Sequence, residues 1–316
     1  MFFMKMTPKN CILDTDLGRD IDDAWALTML LKQSELDLKL ITTAAGDTYE
    51  RGMIARRLLA AAGRTDIPVA IGSPVECGNG VLQHELVTPE AEITDFPDAV
   101  ESIRSTVMQY APEPVTLIGI APMCNLAELA EKYPQLPAMI DLVLMAGSLG
   151  SGNTPPIAEW NVKCDIKSAQ KVFNTRWRSL TVTPLESCGK VRLSGNYLQK
   201  LALHPGALER ELASQYRAWL HAYNWNGVGN LDNTPIPEQQ TSTLYDTVAI
   251  HLAAGGKYLQ FKQMHLKIDD NGIMSETTVA PQLVNVASGW LDLAAYTQEL
   301  SEMILSYSVL NNGKFL

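Results

Sequence analysis

Apolar, partly β-branched runs alternate with segments of helical period along most of this chain, and that alternation restricts the available folds more than any other feature. The runs are NCILDTD (10–16), LKLITTAAG (38–46), PVAIG (68–72), PVTLIGI (114–120), DLVLMAG (141–147) and SLTVTPL (179–185). Between most of them lie segments such as AWALTMLLK, ERGMIARRLLAAAG and CNLAELAEKY, whose apolar residues recur with a helical period. Parallel strands need long crossovers, usually helices, and are apolar on both faces because helices cover both. The expected fold is therefore α/β, a single domain over residues 1–316. It is an open, mostly parallel, Rossmann-like sheet with helices on both faces and an active site at the C-terminal strand ends. The second half adds helix-rich segments at 195–224 and 243–254, a hairpin turning on DDNG (269–272) and a last amphipathic helix near 290–307.

Composition narrows the partners. A hydrophobic content of 46% with 19% charged residues describes a globular chain with a sizeable core. The net charge of −10 argues against nucleic acid and against an anionic membrane surface. Small neutral or cationic ligands stay open. No apolar stretch approaches the ~18 residues of a membrane span, and the apolar start MFFM is too short for a signal-peptide core. The cysteines, Cys11, Cys77, Cys124, Cys164 and Cys188, are odd in number and form no CxxC pair. Neither a disulfide framework nor a zinc site is expected from them, and a reducing cytoplasm fits best. Residues 73–96 and 225–241, rich in Gly, Pro, Asn and Thr, interrupt the alternation and read as functional loops.

The unusual polar residues fall at strand ends. Asp14, Asp16, Asp20, Asp22 and Asp23 crowd into ten positions after the first run. Asp47 follows the second run, and Asn125 follows PVTLIGI. Gly18 allows a tight turn, Asp20 is placed to cap a helix, and Asp22 and Asp23 open that helix. A helix dipole accounts for two or three acids in a first turn. It leaves Asp14 and Asp16, two apart on a buried strand, without a reason to be charged. A cation supplies one, and oxygen-only ligands select a hard ion, calcium or magnesium. An EF-hand loop does not fit, because the twelfth position counted from Asp14 is Trp25 where a bidentate Glu is required. A phosphoaspartyl hydrolase also begins with a strand and DxD, but GIAPMCN and VLMAGS supply its later residues poorly.

The first motif, DTDLGRDIDD, resembles the opening motif of calcium-dependent nucleoside N-ribohydrolases of the inosine–uridine-preferring type, in its longer DTDxGxDxDD form. AAGD (44–47) is similar to the family's VxGN or VxGD segment, and GIAPMCNLA (119–127) to its GPLTNLA. VLMAGSLGSGNTPPIAEWNVKCD (143–165) resembles VLMGG…GN…AEFNxxxD, and LYDTVA (244–249) the late HDPxA segment. The five motifs stand in family order across residues 11–250.

The resemblance implies a hydrolase that splits the N-glycosidic bond of ribonucleosides with a calcium-activated water. It implies Asp16, Asp23, Asp246 and the Cys124 carbonyl as metal ligands, Asp16 also being the general base. Asp22 and Asn161 would hold ribose hydroxyls, Asn153 and Glu159 the 3′/5′ side, and Asp14 would orient the ligands. It also implies a homodimer or homotetramer. Blander readings stand beside these. Asn153 suits a turn, Glu159 and Asn161 a helix cap near Asp165, and Asp246 an N-cap for TVAIHLAAG. Trp160 reads as core packing or as a wall of the sugar site, and His84, His221 and YNWN (223–226) lie in or beside the long loops.

Departures from the family pattern bear on the base. Tyr245 stands where many members carry a histidine that protonates the departing purine, so leaving-group help would fall to a phenol. Asp47 stands where several carry Asn, adding charge near the pocket or a partner to a metal ligand, and Leu17 replaces proline. Two other functions remain consistent with the residues: hydrolysis of a different ribosyl compound, and calcium-dependent ribosyl binding without turnover.

Overall fold

In the computed structural model, described for residues 7–77, 80–81, 83–87, 95–224 and 240–306, the alternation becomes one large sheet. The first half runs β1 (Lys9–Thr15), α1 (Asp22–Lys32), β2 (Leu36–Thr43), α2 (Thr48–Ala61), β3 (Val69–Ile71), α3 (Ala99–Tyr110), β4 (Val115–Gly119) and α4 (Cys124–Lys132). Then come β5 (Ile140–Met145), α5 (Trp160–Cys164), α6 (Ile166–Phe173), β6 (Ser179–Thr183), α7 (Leu185–Cys188), α8 (Tyr197–Ala202) and α9 (Ala207–Asn224). The chain closes with α10 (Thr247–Ala253), β7 (Leu259–Met264), β8 (Leu266–Ile268), β9 (Met274–Glu276), β10 (Val284–Trp290) and α11 (Leu293–Ile304). The sheet order is β3-β2-β1-β4-β5-β6-β10-β7. All neighbours pair in parallel except β7, an antiparallel edge strand against β10.

Side chains alternate across the strands, so one sheet feeds two cores. On β1, Cys11 and Leu13 enter a layer with Trp25 of α1, Ile54 of α2 and Leu212 of α9, while Ile12 enters the opposite layer with Ile103 of α3 and Leu126 of α4. On β5, Val143 and Met145 face the first layer, and Leu142 and Leu144 the second. Helices therefore cover both faces, as the continuous apolar strands require.

All six expected strands form. The DDNG hairpin forms between β8 and β9, where Asp269 accepts hydrogen bonds from the Asn271 and Ile273 backbones at 2.9 and 2.8 Å. Two strands were not legible: β7 is exposed along most of its length, and β10 contains Ser288 and Gly289, so neither shows a clean apolar run. The cysteine expectation is corrected. Cys77, beyond β3, is bonded to Cys164 at the end of α5, across 87 residues of sequence, so only proximity in the fold reveals the pair. Cys11, Cys124 and Cys188 are free and buried. Most of loop 225–241 and much of 73–96 lie outside the described residues. Among the described residues no helix is long and apolar enough to cross a membrane.

Leu117, fully buried at the centre of β4, tests the two-layer arrangement. Leu117→Ala is expected to lower unfolding free energy by about 2–5 kcal/mol, read as a reduced urea midpoint with unchanged slope. A loss below about 0.5 kcal/mol would place this side chain outside a packed core.

Candidate active site

Seven strands end on the same side of the sheet, and the exits of β1, β4, β5 and β6 contribute to the wall of a cavity of about 440 Å³. Its lining includes Asp16, Asp22 and Asp23 from the β1–α1 segment, Glu159, Trp160 and Asn161 from the start of α5, and Tyr245 and Asp246 before α10. Residues more than two hundred positions apart meet here because α1 packs against α10 on one face of the sheet.

The β1 exit turns sharply at Gly18, whose φ of +104° and closeness to Ile54 (2.7 Å from a would-be Cβ to Cδ1) exclude a larger residue. Asp20 is not the helix cap. Ile21 holds the N-cap position, and exposed Asp20 accepts the neighbouring Ile21 N–H at 2.7 Å. Asp22 and Asp23 follow in the first turn of α1, both buried.

The three carboxyl groups that converge most closely are those of Asp22, Asp23 and Asp246, with one oxygen of each within 4.8 Å of the others. Thr15 Oγ1 donates to Asp23, steering that carboxylate. Asp246 occupies the N-cap position of α10, yet its side chain makes no capping hydrogen bond. This distinguishes it from Asp47, Asp98 and Asp165, whose carboxylates are spent on helix N–H groups. Burial first, and then the charges of the neighbouring aspartates, push Asp22, Asp23 and Asp246 well above the usual carboxylate range. A donor set of buried oxygens that repel one another until a cation arrives fits a hard divalent ion. Asp16 lies in the same wall without joining the tightest trio; burial raises it, and the Arg51 and Arg19 guanidiniums pull it back.

Arg51 was not apparent from the sequence, where it reads as one more basic residue of an amphipathic helix. It is 2% exposed. Its guanidinium donates to the carbonyls of Asp16, Leu17 (3.0 Å) and Ala45 (2.7 Å), tying the β1 and β2 exits together. Ala45 and Gly46 both take left-handed φ values, 60° and 62°, to bring this loop onto the arginine. Arg19 is the second missed cation. Its guanidinium lies 4.1 Å from the Trp160 ring centroid, across the cavity mouth. The signal was available: a basic residue set inside five aspartates.

Behind the cavity, Asp14 accepts from Thr42 Oγ1 (2.6 Å) and Asn125 Nδ2 (2.7 Å), and burial pushes it up to about 6. Asn125 sits against Gly72, where a Cβ would come within 1.9 Å of its amide oxygen. Glu159 caps α5, accepting from the N–H groups of Gly147 (2.9 Å), Asn161 (2.7 Å) and Val162 (3.3 Å), with its carboxyl raised to about 6 by burial. Asn161 donates to the Ile120 and Met145 carbonyls at 3.2 and 3.1 Å, which fixes its amide at the ends of β4 and β5.

Three expected site residues lie elsewhere. Asp47 is exposed and caps α2 through Glu50 N (2.9 Å), so its carboxylate is engaged away from the cavity. Asn153 is exposed in the 149–156 loop, which forms a separate shallow recess. Cys124 opens α4 among Ala44 and Ala121, outside the lining, with its thiol pushed up to about 12 by burial. Trp160 is 39% exposed at the rim and is not core. Tyr245 lines the cavity, its phenol raised by burial and by Asp22. His84 pairs with Glu50, and His221 with Glu85, away from the site.

Asp14 and Glu159, each raised from its ordinary value to about 6, and the higher aspartates bind protons more tightly folded than unfolded. Their contribution is complete below the unfolded carboxylate range and is lost as pH rises through the folded values. Chelator-treated protein is therefore expected to melt lower at pH 7.5 than at pH 5.5. Millimolar calcium or magnesium at about a hundred times Kd should restore about 2.7 kcal/mol at pH 7.5. A metal-free melting temperature that rises with pH, with no response to either ion, would remove the cation site.

The family model for inosine-uridine preferring nucleoside hydrolase matches residues 11–297. A non-specific ribonucleoside hydrolase RihC of Salmonella paratyphi A is 37% identical over 222 residues, covering 66% of this chain and 72% of that protein. The same-named protein of Klebsiella pneumoniae is 34% identical over 223 residues, with the same shares. A plant nucleoside hydrolase, PpNRh1, superposes with a TM-score of 0.75 at 21% identity, covering 95% of this chain and 99% of that one, which bears on the fold. With its match spanning all five motifs, the chain belongs to the inosine-uridine preferring nucleoside hydrolase family of N-glycosyl hydrolases.

Proposed function

We propose that the protein hydrolyses the N-glycosidic bond of ribonucleosides to ribose and free base, with calcium as cofactor. The observation that carries this reading is the buried convergence of Asp22, Asp23 and Asp246 in one cavity with Glu159 and Asn161. Asp16, Asp23 and Asp246 are the proposed metal ligands, and the position of Asp22 in the tightest trio makes it a further candidate. A bound calcium would polarise a water and orient the ribose diol.

Asp16 is the proposed general base: burial raises its carboxyl, which strengthens it as a proton acceptor, while Arg51 and Arg19 offset part of that rise. Asp22 and Asn161 hold ribose hydroxyls. The amide of Asn161, locked by two backbone carbonyls, needs no reorganisation when the sugar flattens toward an oxocarbenium ion. Glu159 keeps its place through three N–H groups and offers the remaining lone pairs to the 3′/5′ side. Trp160 walls the sugar at the rim. We place the enzyme in the cytoplasm as a homodimer or homotetramer, in line with its family.

Purified protein incubated with a nucleoside panel should release reducing sugar with calcium and lose that activity to a chelator. Asp16→Ala and Asp246→Ala are each expected to lower kcat at least about a thousandfold while circular dichroism stays unchanged. Near-normal rates in either variant would remove the assigned ligand set. Tight ribonucleoside binding without turnover would make the protein a ribosyl-binding one.

A further inference from the structure

Among the described residues the cavity gathers its carboxyl groups around Asp22, Asp23 and Asp246 and offers a departing base the weakly acidic Tyr245 phenol but no imidazole. Neutral nucleosides leave poorly unless the base is protonated, and imidazole is the side chain best suited to deliver a proton near neutral pH. This chain has five histidines, all within described residues. His84 and His221 pair with glutamates, and His204 with Glu209. His251 stacks among Tyr258, Trp290 and Tyr296, and His265 meets the Gln282 carbonyl. None lines the cavity. Glu159 has both oxygens engaged as acceptors of backbone N–H groups, so it is held as a carboxylate acceptor.

Formal charge in the lining is lopsided. Among the described lining residues six carboxyl groups face two cations, Arg19 and Lys163, so a divalent ion added to the site still leaves a formal excess of two negative charges. Cavities of one sign concentrate ligands of the other.

We infer that the preferred substrate is an N-riboside whose base already carries a positive charge on the glycosidic nitrogen, an N-ribosylpyridinium. This inference rests on the ribohydrolase reading above and names its substrate class. The chemistry balances without an external acid. Water oxygen forms the bond to C1′, and the C1′–N bond breaks with its electron pair going to the ring nitrogen. That neutralises the positive charge, and the water proton passes to Asp16 and then to solvent. The products are ribose, a neutral pyridine and one proton. The negative lining attracts the substrate and releases the product, whose charge has gone.

The test compares kcat/KM for nicotinamide riboside, inosine and uridine with calcium present, using p-nitrophenyl riboside as a control whose leaving group needs no acid. General-acid assistance is worth about a hundredfold or more. The pyridinium riboside is therefore expected to exceed both nucleosides by about a hundredfold, with a KM that rises with ionic strength while that of inosine stays level. A preference of tenfold or less, with p-nitrophenyl riboside hydrolysed, would overturn this inference and leave the ribohydrolase reading standing. If p-nitrophenyl riboside is also untouched, the ribohydrolase reading has failed and the substrate class falls with it.

Discussion

The site depends on holding several carboxyl groups at the mouth of a sheet that gives them almost no water. Asp14, Asp16, Asp22, Asp23 and Asp246 are each 6% exposed or less. Left alone, such groups would protonate or push the loops apart. The permanent compensation is Arg51, which works on the backbone: by binding the Asp16, Leu17 and Ala45 carbonyls it pulls two loops together, and its charge steadies Asp16 and Asp23. The remaining excess of negative charge is what a divalent cation would meet. A cluster so compensated is poised: stable enough to fold, and unsatisfied enough to bind.

Sheet topology decides which residues share that cluster. Parallel strands deliver their C-terminal ends to one side, so the exits of β1, β4, β5 and β6 converge whatever their separation in sequence. Asp246 reaches the site from a helix, through the packing of α10 on α1 and on β4 and β5. The same geometry divides carboxylates by task. Asp47, Asp98, Asp165 and Glu159 spend theirs on helix N–H groups, whereas Asp246, at an equivalent position, leaves its own for the cavity.

The inner wall and the mouth of the cavity differ in kind. On the inner wall Glu159 and Asn161, proposed above for the sugar, are pinned by backbone partners beside β4, β5 and α5, so neither needs to reorganise to meet a ligand. The mouth is built differently, from Arg19 stacked on the half-exposed Trp160 and from the partly buried Tyr245.

The sequence by itself determined the α/β class, six of the strands and the acidic motif at the first strand exit, because period and composition are local properties and these segments are strongly patterned. It also marked Asp22, Asp23, Glu159, Trp160, Asn161, Tyr245 and Asp246, all of which line the cavity. Only the tertiary structure decided the rest. Edge strand β7 and Gly-containing β10 draw their strand character from neighbours that local pattern does not see. Asp47 and Asp246 look alike as helix-opening acids, and packing alone assigns one to a cap and the other to the cavity. Arg51 and the Cys77–Cys164 bridge are likewise matters of proximity. A side chain's charge is written in the sequence, but its partner, its burial and therefore its chemistry are set by which distant segments the fold brings against it.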